Sequence, residues 1–275
     1  MSYNRAALFN RIIQLGLIDD YISFAAFLWH EKGYSLFNSA LIYLQRPGAL
    51  YVDTEEGWSR MRRSIRPEAT PIVVIHPFGP VNFLYELEDT YGDYVPYRLR
   101  SEFGYENPNP LDESLYDKAR SLLNNLGIYY NESTFGTRLS GEAVRMPEPM
   151  TINVFRDKKL VELNTRYAIL VKETLSKSDK VLTIFHEIGH ILCGHIRDDG
   201  NKDLKVPDRR GDHLTLAAME FEAEKVCEFF FRVLGYEYDP SYYLAQFAGD
   251  CDEREYSIRY VMESVDKLIA AWLTC

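Results

Sequence analysis

The chain has 275 residues, 46% hydrophobic and 26% charged, a balance typical of a folded globular protein and not of a disordered or fibrous one. Its formal net charge of −10 opposes non-specific attraction to nucleic acid, so any such contact needs a local basic patch. No stretch approaches the roughly 20 apolar residues that a membrane helix needs, which excludes a membrane partner.

The cellular location is indicated by two further features. The first ten residues lack a basic segment followed by an apolar run, as a secretory signal would have. The cysteines are dispersed and form no CxxC pair, which is typical of reduced thiols; they are Cys193, Cys227, Cys251 and Cys275. We therefore expect a cytoplasmic protein.

The first part of the chain combines helical patterns with short β-prone runs. Apolar residues recur at steps of three and four up to about Arg46, where Pro47 and Gly48 end the helices. Two β-prone runs follow at residues 71–76 and 82–87, separated by a turn-rich break. Two prolines in residues 106–110 block regular pairing. We therefore predict a small α/β domain over residues 1–105 and a second domain over residues 106–275.

The second domain is predicted to contain one sheet and several helices. Asp112 can cap a helix that runs to about Gly127. After a loop at residues 146–149, three strands are predicted, at 151–155, 160–163 and 167–171. Three long helices are predicted next, at about 179–196, 214–234 and 253–273. The fold class is thus α+β.

The strongest chemical signal is the segment His186-Glu187-Ile188-Gly189-His190. Residues four apart share one face of a helix, so both imidazoles can reach a single metal ion. Glu187 lies about a quarter-turn away and can act as general base toward a water at the metal. The alternative is a pair of core histidines that are hydrogen-bonded to their neighbours.

A catalytic zinc ion needs a third protein ligand, and the helix at 214–234 offers four glutamates. Glu220 falls at the margin of the apolar stripe of this helix and is our predicted third ligand. Glu222, Glu224 and Glu228 are predicted to point further outward. Glu224 is the reserve ligand, or a carboxylate that fixes a ligating histidine; otherwise it belongs to a solvated helix face.

Three further side chains are candidates for stabilising the transition state. Tyr167, His195 and His213 carry suitable donors, and the sequence does not choose among them. His195 follows His190 by five residues, so a capping or supporting role is favoured over ligation. Cys193 lies on nearly the same helix face as the histidines and is either an inhibitory ligand or a small buried residue.

Two segments resemble the ImmA/IrrE-type metallopeptidases: Phe185-His-Glu-Ile-Gly-His-Ile-Leu-Cys-Gly-His195 and Glu220-Phe-Glu-Ala-Glu224. The resemblance covers roughly residues 150–250. It implies a zincin-like fold, with a small sheet, an HExxH helix and a glutamate-bearing helix, and a Zn²⁺ ion whose third ligand is Glu220. It also implies cleavage of a helix-turn-helix repressor in a mobile element or a stress response.

The first hundred residues resemble the amino-terminal domain of ArdC-like antirestriction proteins, through residues 34–48 and Gly57-Trp58. That resemblance implies binding of single-stranded DNA. Positive charge and stacking surfaces suit a single strand, and the candidate contacts are Arg46, Trp58, Arg60, Arg62, Arg63 and Arg66. The alternative is a solvated arginine-rich helix.

Together these features predict a zinc-dependent endopeptidase that cuts one regulatory protein, with single-stranded DNA as a candidate trigger. The competing hypothesis is a non-catalytic module with a structural zinc ion, which binds a repressor or nucleic acid.

Overall fold

The computed structural model describes residues 5–75, 81–95, 109–134, 140–156, 159–196, 204, 206–209, 212–240 and 256–275. Within these ranges the chain forms eight α-helices and eight β-strands, so the predicted α+β class is confirmed. The chain divides into two compact units, Met1–Asn109 with Arg232–Gly235, and Pro110–Phe231 with Tyr236–Cys275. The boundary that we predicted after residue 105 lies outside the described residues.

The first unit contains short helices and small antiparallel sheets. Its helices are α1 (Arg5–Gln14), α2 (Ile18–Lys32), α3 (Leu36–Gln45) and α4 (Glu55–Arg60). Its strands are β1 (Val52–Asp53), β2 (Arg63–Ile65), β3 (Ile72–Val74), β4 (Asn82–Glu86) and β5 (Thr90–Gly92). They form a sheet in the order β1-β4-β3 and a separate β2-β5 pair. The β-prone runs at 71–76 and 82–87 correspond to β3 and β4, and the break at 77–80 lies outside the described residues.

The described residues of the second unit form one three-stranded sheet and four helices. Its helices are α5 (Leu115–Leu126), α6 (Lys177–Leu192), α7 (Leu216–Val233, of which the last two residues are assigned to the first unit) and α8 (Ile258–Trp272). Its strands are β6 (Tyr129–Ser133), β7 (Gly141–Arg156) and β8 (Lys159–Lys172). The order is β6-β8-β7, so β7 lies at one edge of this sheet. Strand β6 pairs parallel to β8, whereas β7 pairs antiparallel to it.

The predicted strands of this sheet were too short. Residues 160–163 and 167–171 belong to one strand, β8, and the predicted loop at 146–149 lies inside β7. The pairing shifts register between Arg145 and Met150, so the extra residues form an irregularity and do not end the strand. Pro147 and Pro149 are tolerated there because an edge strand can lack ladder donors.

The core of the second unit fixes the position of α6. Ser176 caps this helix, since its hydroxyl accepts a hydrogen bond from the Asp179 N–H at 3.1 Å. Phe185 stacks on Phe230 of α7 with ring centroids 4.7 Å apart, and its ring also packs edge-on against Trp272 of α8. These aromatic contacts orient the opposite face of α6 toward a cleft. Among the described residues, no helix has the length and apolar character required to traverse a bilayer.

Candidate metal centre

The HEIGH segment lies in the second half of α6, where the helix runs beside α7. His186 and His190 are both partly exposed to the cleft, and Glu187 is almost fully buried beside them. Helix α7 carries Glu220 and Glu224 on the side that faces these histidines. The candidate site is therefore built from one face of each helix.

Gly189 allows the two helices to approach closely. A Cβ atom at this position would lie 2.8 Å from the carbonyl oxygen of Ala223 and 2.9 Å from its Cα, which is far inside van der Waals contact. Both atoms belong to the backbone of α7, so no side-chain movement could relieve the clash. Gly189, the fourth residue of the motif, is thus required for the packing that brings the α7 glutamates close to the histidines.

The structure brings the three predicted ligands together. The Nε2 atom of His186 lies 3.1 Å from Glu220 Oε2 and 3.1 Å from His190 Nε2. The third edge, from His190 Nε2 to Glu220 Oε2, is 3.5 Å. Ligands about 2.0 Å from a tetrahedral zinc ion are separated from one another by about 3.3 Å. The three donor atoms therefore fit a shared zinc ion, and their chemistry, two imidazoles and a carboxylate, suits that metal.

Glu224 and Tyr238 support His186 on the Nδ1 side of its ring. The Nδ1 atom of His186 lies 2.9 Å from Glu224 Oε2, and the Tyr238 hydroxyl donates to Glu224 Oε1. Burial alone would lower the pKa of His186, but hydrogen bonds with Glu220 and Glu224 outweigh it and raise the pKa to about 10. Without a metal ion, His186 is accordingly an imidazolium between two carboxylates, and metal binding must displace its proton.

Glu187 is held by the start of strand β7. The backbone N–H of Ala143 donates a hydrogen bond to its carboxylate. Burial raises the pKa of Glu187, while the neighbouring histidines and the Ala143 N–H partly oppose that effect. A carboxylate whose pKa is raised is a better base near neutral pH than an ordinary surface glutamate.

His195 is among the residues that line the cleft, but its side chain is largely covered. One ring nitrogen, Nδ1, lies 2.9 Å from His190 Nδ1, and the other, Nε2, lies 2.8 Å from Glu222 Oε2. Its side chain is only 2% exposed. Both nitrogens are engaged, so the expectation that His195 stabilises a transition state is corrected to a supporting contact on His190.

Glu222 is the centre of a buried polar cluster. It is 0% exposed and accepts hydrogen bonds from His195, from both terminal guanidinium nitrogens of Arg209, and from the Ser257 N–H at 2.6 Å. Burial alone would raise the pKa of Glu222, but the bonds from His195 and Arg209 outweigh it and lower the pKa. Cys193, His195 and Glu222 also place donor atoms within 4.8 Å of one another. The Arg209 guanidinium already neutralises this carboxylate, so the cluster is unsuited to a second cation.

Sequence reasoning placed the α7 glutamates incorrectly. Glu222, Glu224 and Glu228 are all buried rather than turned outward. A helical wheel with one apolar stripe assumes a single buried face, whereas α7 is enclosed on several sides and satisfies its carboxylates with partners from distant segments. Arg209 and Tyr238, which supply two of those partners, lie outside the motif, and no local pattern identified them.

The two remaining donor candidates lie away from the cleft. Tyr167 is buried within β8, at 1% exposure, and does not line the cleft. His213 is exposed and precedes α7, and it does not line the cleft either. The structure therefore does not support either residue as a transition-state donor.

Cys193 is also buried, with its sulfur 3.6 Å from the Ser264 hydroxyl. Burial raises the pKa of this thiol to about 12, so it remains protonated and is a structural residue, not a metal-blocking thiolate.

The cleft beside the site has a volume of about 780 Å³. One wall is formed by Ser140 and the first residues of edge strand β7, Gly141 to Ala143. Leu182, Leu216 and Met219 add apolar surface from the two helices. The three donor atoms thus open onto a groove large enough for several residues of a peptide.

The candidate nucleic-acid residues of the first unit have different environments. Trp58 is 0% exposed and its Nε1 donates to the Tyr85 carbonyl at 2.9 Å, so it cannot stack on a base as expected. Arg46 pairs with Asp89 at 3.0 Å, and Arg63 bonds Thr90. These three side chains serve the fold of the unit.

The other arginines are exposed near the β2–β5 pair. Arg60, Arg62 and Arg66 are all exposed to solvent. The Arg66 guanidinium lies 6.0 Å from the ring of Tyr91, which is itself exposed, and Tyr94 is 85% exposed. The aromatic surface at this edge is therefore tyrosine, which the sequence analysis did not single out.

No protein-family model matches the chain, and no curated protein matches it. Among solved structures, the chain is similar to a metal-free crystal structure of the antirestriction protein ArdC from plasmid R388. The sequence identity is 13% and the TM-score is 0.42, with 99% of this chain and 98% of that chain covered. At this level of similarity, the function of the chain must be inferred from its own site.

Proposed function

We propose that this protein is a zinc-dependent endopeptidase, in which His186, His190 and Glu220 hold the metal and Glu187 is the general base. The observation that carries the proposal is the convergence of three ligand atoms, with edges of 3.1, 3.1 and 3.5 Å, beside a buried carboxylate and an open cleft. A bound zinc ion supplies Lewis acidity, which lowers the pKa of water and polarises a peptide carbonyl.

The residues of the chain have distinct roles in this reaction. Glu187 accepts a proton from the attacking water and delivers it to the leaving amine, as a base and then an acid. The Ala143 N–H holds its carboxylate in place. Glu224 receives the Nδ1 hydrogen of His186, which leaves Nε2 free to ligate.

A peptide substrate is supported by the edge strand in the cleft wall. Strand β7 is bordered by β8 on one side, and its residues Gly141 to Ala143 line the cleft within reach of Glu187. An extended peptide can join such an edge through backbone hydrogen bonds. This arrangement suits an endopeptidase because the strand edge binds the backbone of the substrate, whatever its sequence. Specificity then depends on the pockets that accept the substrate's side chains.

The substrate that we propose is a helix-turn-helix repressor, in keeping with the resemblance to ImmA/IrrE-type peptidases. We propose single-stranded DNA as the trigger, and exposed Arg62, Arg66, Tyr91 and Tyr94 support a binding surface on the first unit. Guanidinium groups attract the phosphates of a single strand, and its bases stack on aromatic rings.

The test is cleavage of a defined substrate. Purified protein is incubated with the DNA-binding regulator encoded beside it, with zinc or a chelator and with or without single-stranded DNA, and products are identified by mass spectrometry. We expect zinc-dependent cleavage at one bond, and none by Glu187→Gln protein whose zinc content is unchanged. If the wild type, loaded with zinc, cuts no regulator under these conditions, the endopeptidase proposal fails.

The competing function is a non-catalytic zinc module that sequesters a repressor or nucleic acid. Full biological activity of the Glu187→Gln variant with intact metal content would favour that function. Tyr91→Ala combined with Tyr94→Ala tests the trigger separately, because these substitutions leave the metal site unchanged.

A further inference from the structure

A continuous chain of polar contacts leads away from His190 on the side opposite the metal position. It runs from His190 to His195, from His195 to Glu222, and from Glu222 to Arg209. We propose that His195 and Glu222 are positioning residues that fix the tautomer and orientation of His190 as a ligand. The inference rests on the metal site proposed above and assigns a function to two residues that are neither the proposed ligands nor the proposed base.

This series of polar contacts is anchored at Glu222. Its carboxylate meets the guanidinium of Arg209 through two bonds and accepts the Ser257 N–H, and it is fully buried. An ionised carboxylate can only accept hydrogen bonds. The ring nitrogen of His195 that faces it, Nε2 at 2.8 Å, must therefore carry a hydrogen.

The tautomer of His195 then determines the tautomer of His190. A neutral imidazole with its hydrogen on Nε2 presents a lone pair at Nδ1. That lone pair faces His190 Nδ1 at 2.9 Å, and only one hydrogen can lie between the two nitrogens. His190 must supply it, so its own lone pair is on Nε2.

The Nε2 atom of His190 is also the atom that faces the metal position. It lies 3.1 Å from His186 Nε2 and 3.5 Å from Glu220 Oε2. Each hydrogen bond in this series of contacts therefore has one defined direction. The bond from His190 to His195 leaves the Nε2 atom of His190 unprotonated. The buried Arg209–Glu222 pair thus selects the metal-binding tautomer of a histidine that it does not touch.

The two ligating histidines are supported by different chemistry. His186 donates directly to a carboxylate, Glu224, whereas His190 donates to a neutral imidazole. Glu187, Glu220 and Glu224 already place three carboxylates around the site. A neutral acceptor on His190 orients this ligand without adding a fourth negative charge next to it.

The experiment compares two isosteric substitutions of His195 in the full chain. Asn places an acceptor where Nδ1 lies and so retains the contact with His190, whereas Gln places a donor where Nε2 lies and retains only the contact with Glu222. Zinc affinity is measured by competition with a chromogenic chelator, and circular dichroism confirms folding of each variant. We expect His195→Gln to weaken zinc binding about 10–100-fold and His195→Asn to stay within about threefold of wild type.

Two spectroscopic readouts distinguish positioning from packing. In zinc-loaded, isotope-labelled protein, a long-range proton–nitrogen spectrum should show His190 protonated at Nδ1 and His195 protonated at Nε2. The absorption bands of bound Co²⁺ should change in His195→Gln and be retained in His195→Asn. The inference would be overturned if wild type and His195→Gln bound zinc equally well, or if the two histidines had the opposite tautomers. Neither result would contradict the proposed metal site. If the wild type bound no zinc, the proposed function itself would fail.

Discussion

The close approach of α6 and α7 can be tested by adding one methyl group at Gly189. In Gly189→Ala the new Cβ would lie 2.8 Å from the Ala223 carbonyl oxygen, at least about 0.6 Å inside ordinary contact, so the helices must separate. Overpacking of this kind costs about 1–3 kcal/mol, and the better helix propensity of alanine returns roughly 1 kcal/mol. We expect the free energy of unfolding to fall by up to about 2 kcal/mol and zinc affinity to fall about tenfold.

The assay pairs urea denaturation with chelator competition. Gly48→Ala is the matched control, because a Cβ at this position has no neighbour within 4 Å. Ala223→Gly should not rescue the variant, because the atoms in conflict belong to the backbone of residue 223. If Gly189→Ala were as stable as wild type and bound zinc equally well, the argument that this glycine sets the spacing of the helices would be wrong.

Four further predictions concern the candidate metal site and the first unit. Apparent zinc affinity should fall about tenfold per pH unit from pH 8 to 6, because His186, with its pKa raised to about 10, holds a proton that the metal must displace. Chelator competition measured across that pH range tests this dependence. In the metal-free protein, the raised pKa of His186 stabilises the fold fully below pH 6.5 and progressively less as the pH rises toward about 10. Urea denaturation at several pH values measures this change in stability. Tyr238→Phe removes the hydroxyl that donates to Glu224 and should weaken zinc binding about tenfold by chelator competition, with the fold retained by circular dichroism. Trp58→Ala should destabilise the first unit by about 3–5 kcal/mol in urea denaturation, whereas exposed Arg62→Ala should leave its stability unchanged.

The ligand helix could be predicted because its signals are local. The spacing of His186 and His190 requires only helical geometry, and the helix itself is specified by an apolar period and a serine cap. Glu220 was also accessible to sequence reasoning, because a carboxylate at the margin of an apolar stripe needs a partner nearby. The structure places it 3.1 Å from His186 Nε2.

The supporting residues could not be predicted because their partners are distant in sequence. Glu222 is buried by contacts with residues 195, 209 and 257, which no periodicity of α7 reveals. Trp58 was expected at the surface because it lies among arginines, but tertiary packing covers it completely. Only residues 151–155 of strand β7 are predicted from the sequence, since the sequence alone does not show that the prolines at 147 and 149 lie within an edge strand.

The anchoring of Glu222 has a consequence for the order in which the protein is made. Its carboxylate joins Arg209, which precedes α7, to Ser257 at the first turn of α8. During synthesis, His186, His190 and Glu220 leave the ribosome well before residue 257 does. Until that residue arrives, Glu222 lacks one of its donors and the support of His190 is incomplete. A nascent chain therefore carries all three candidate ligand residues before the contacts that support His190 are complete.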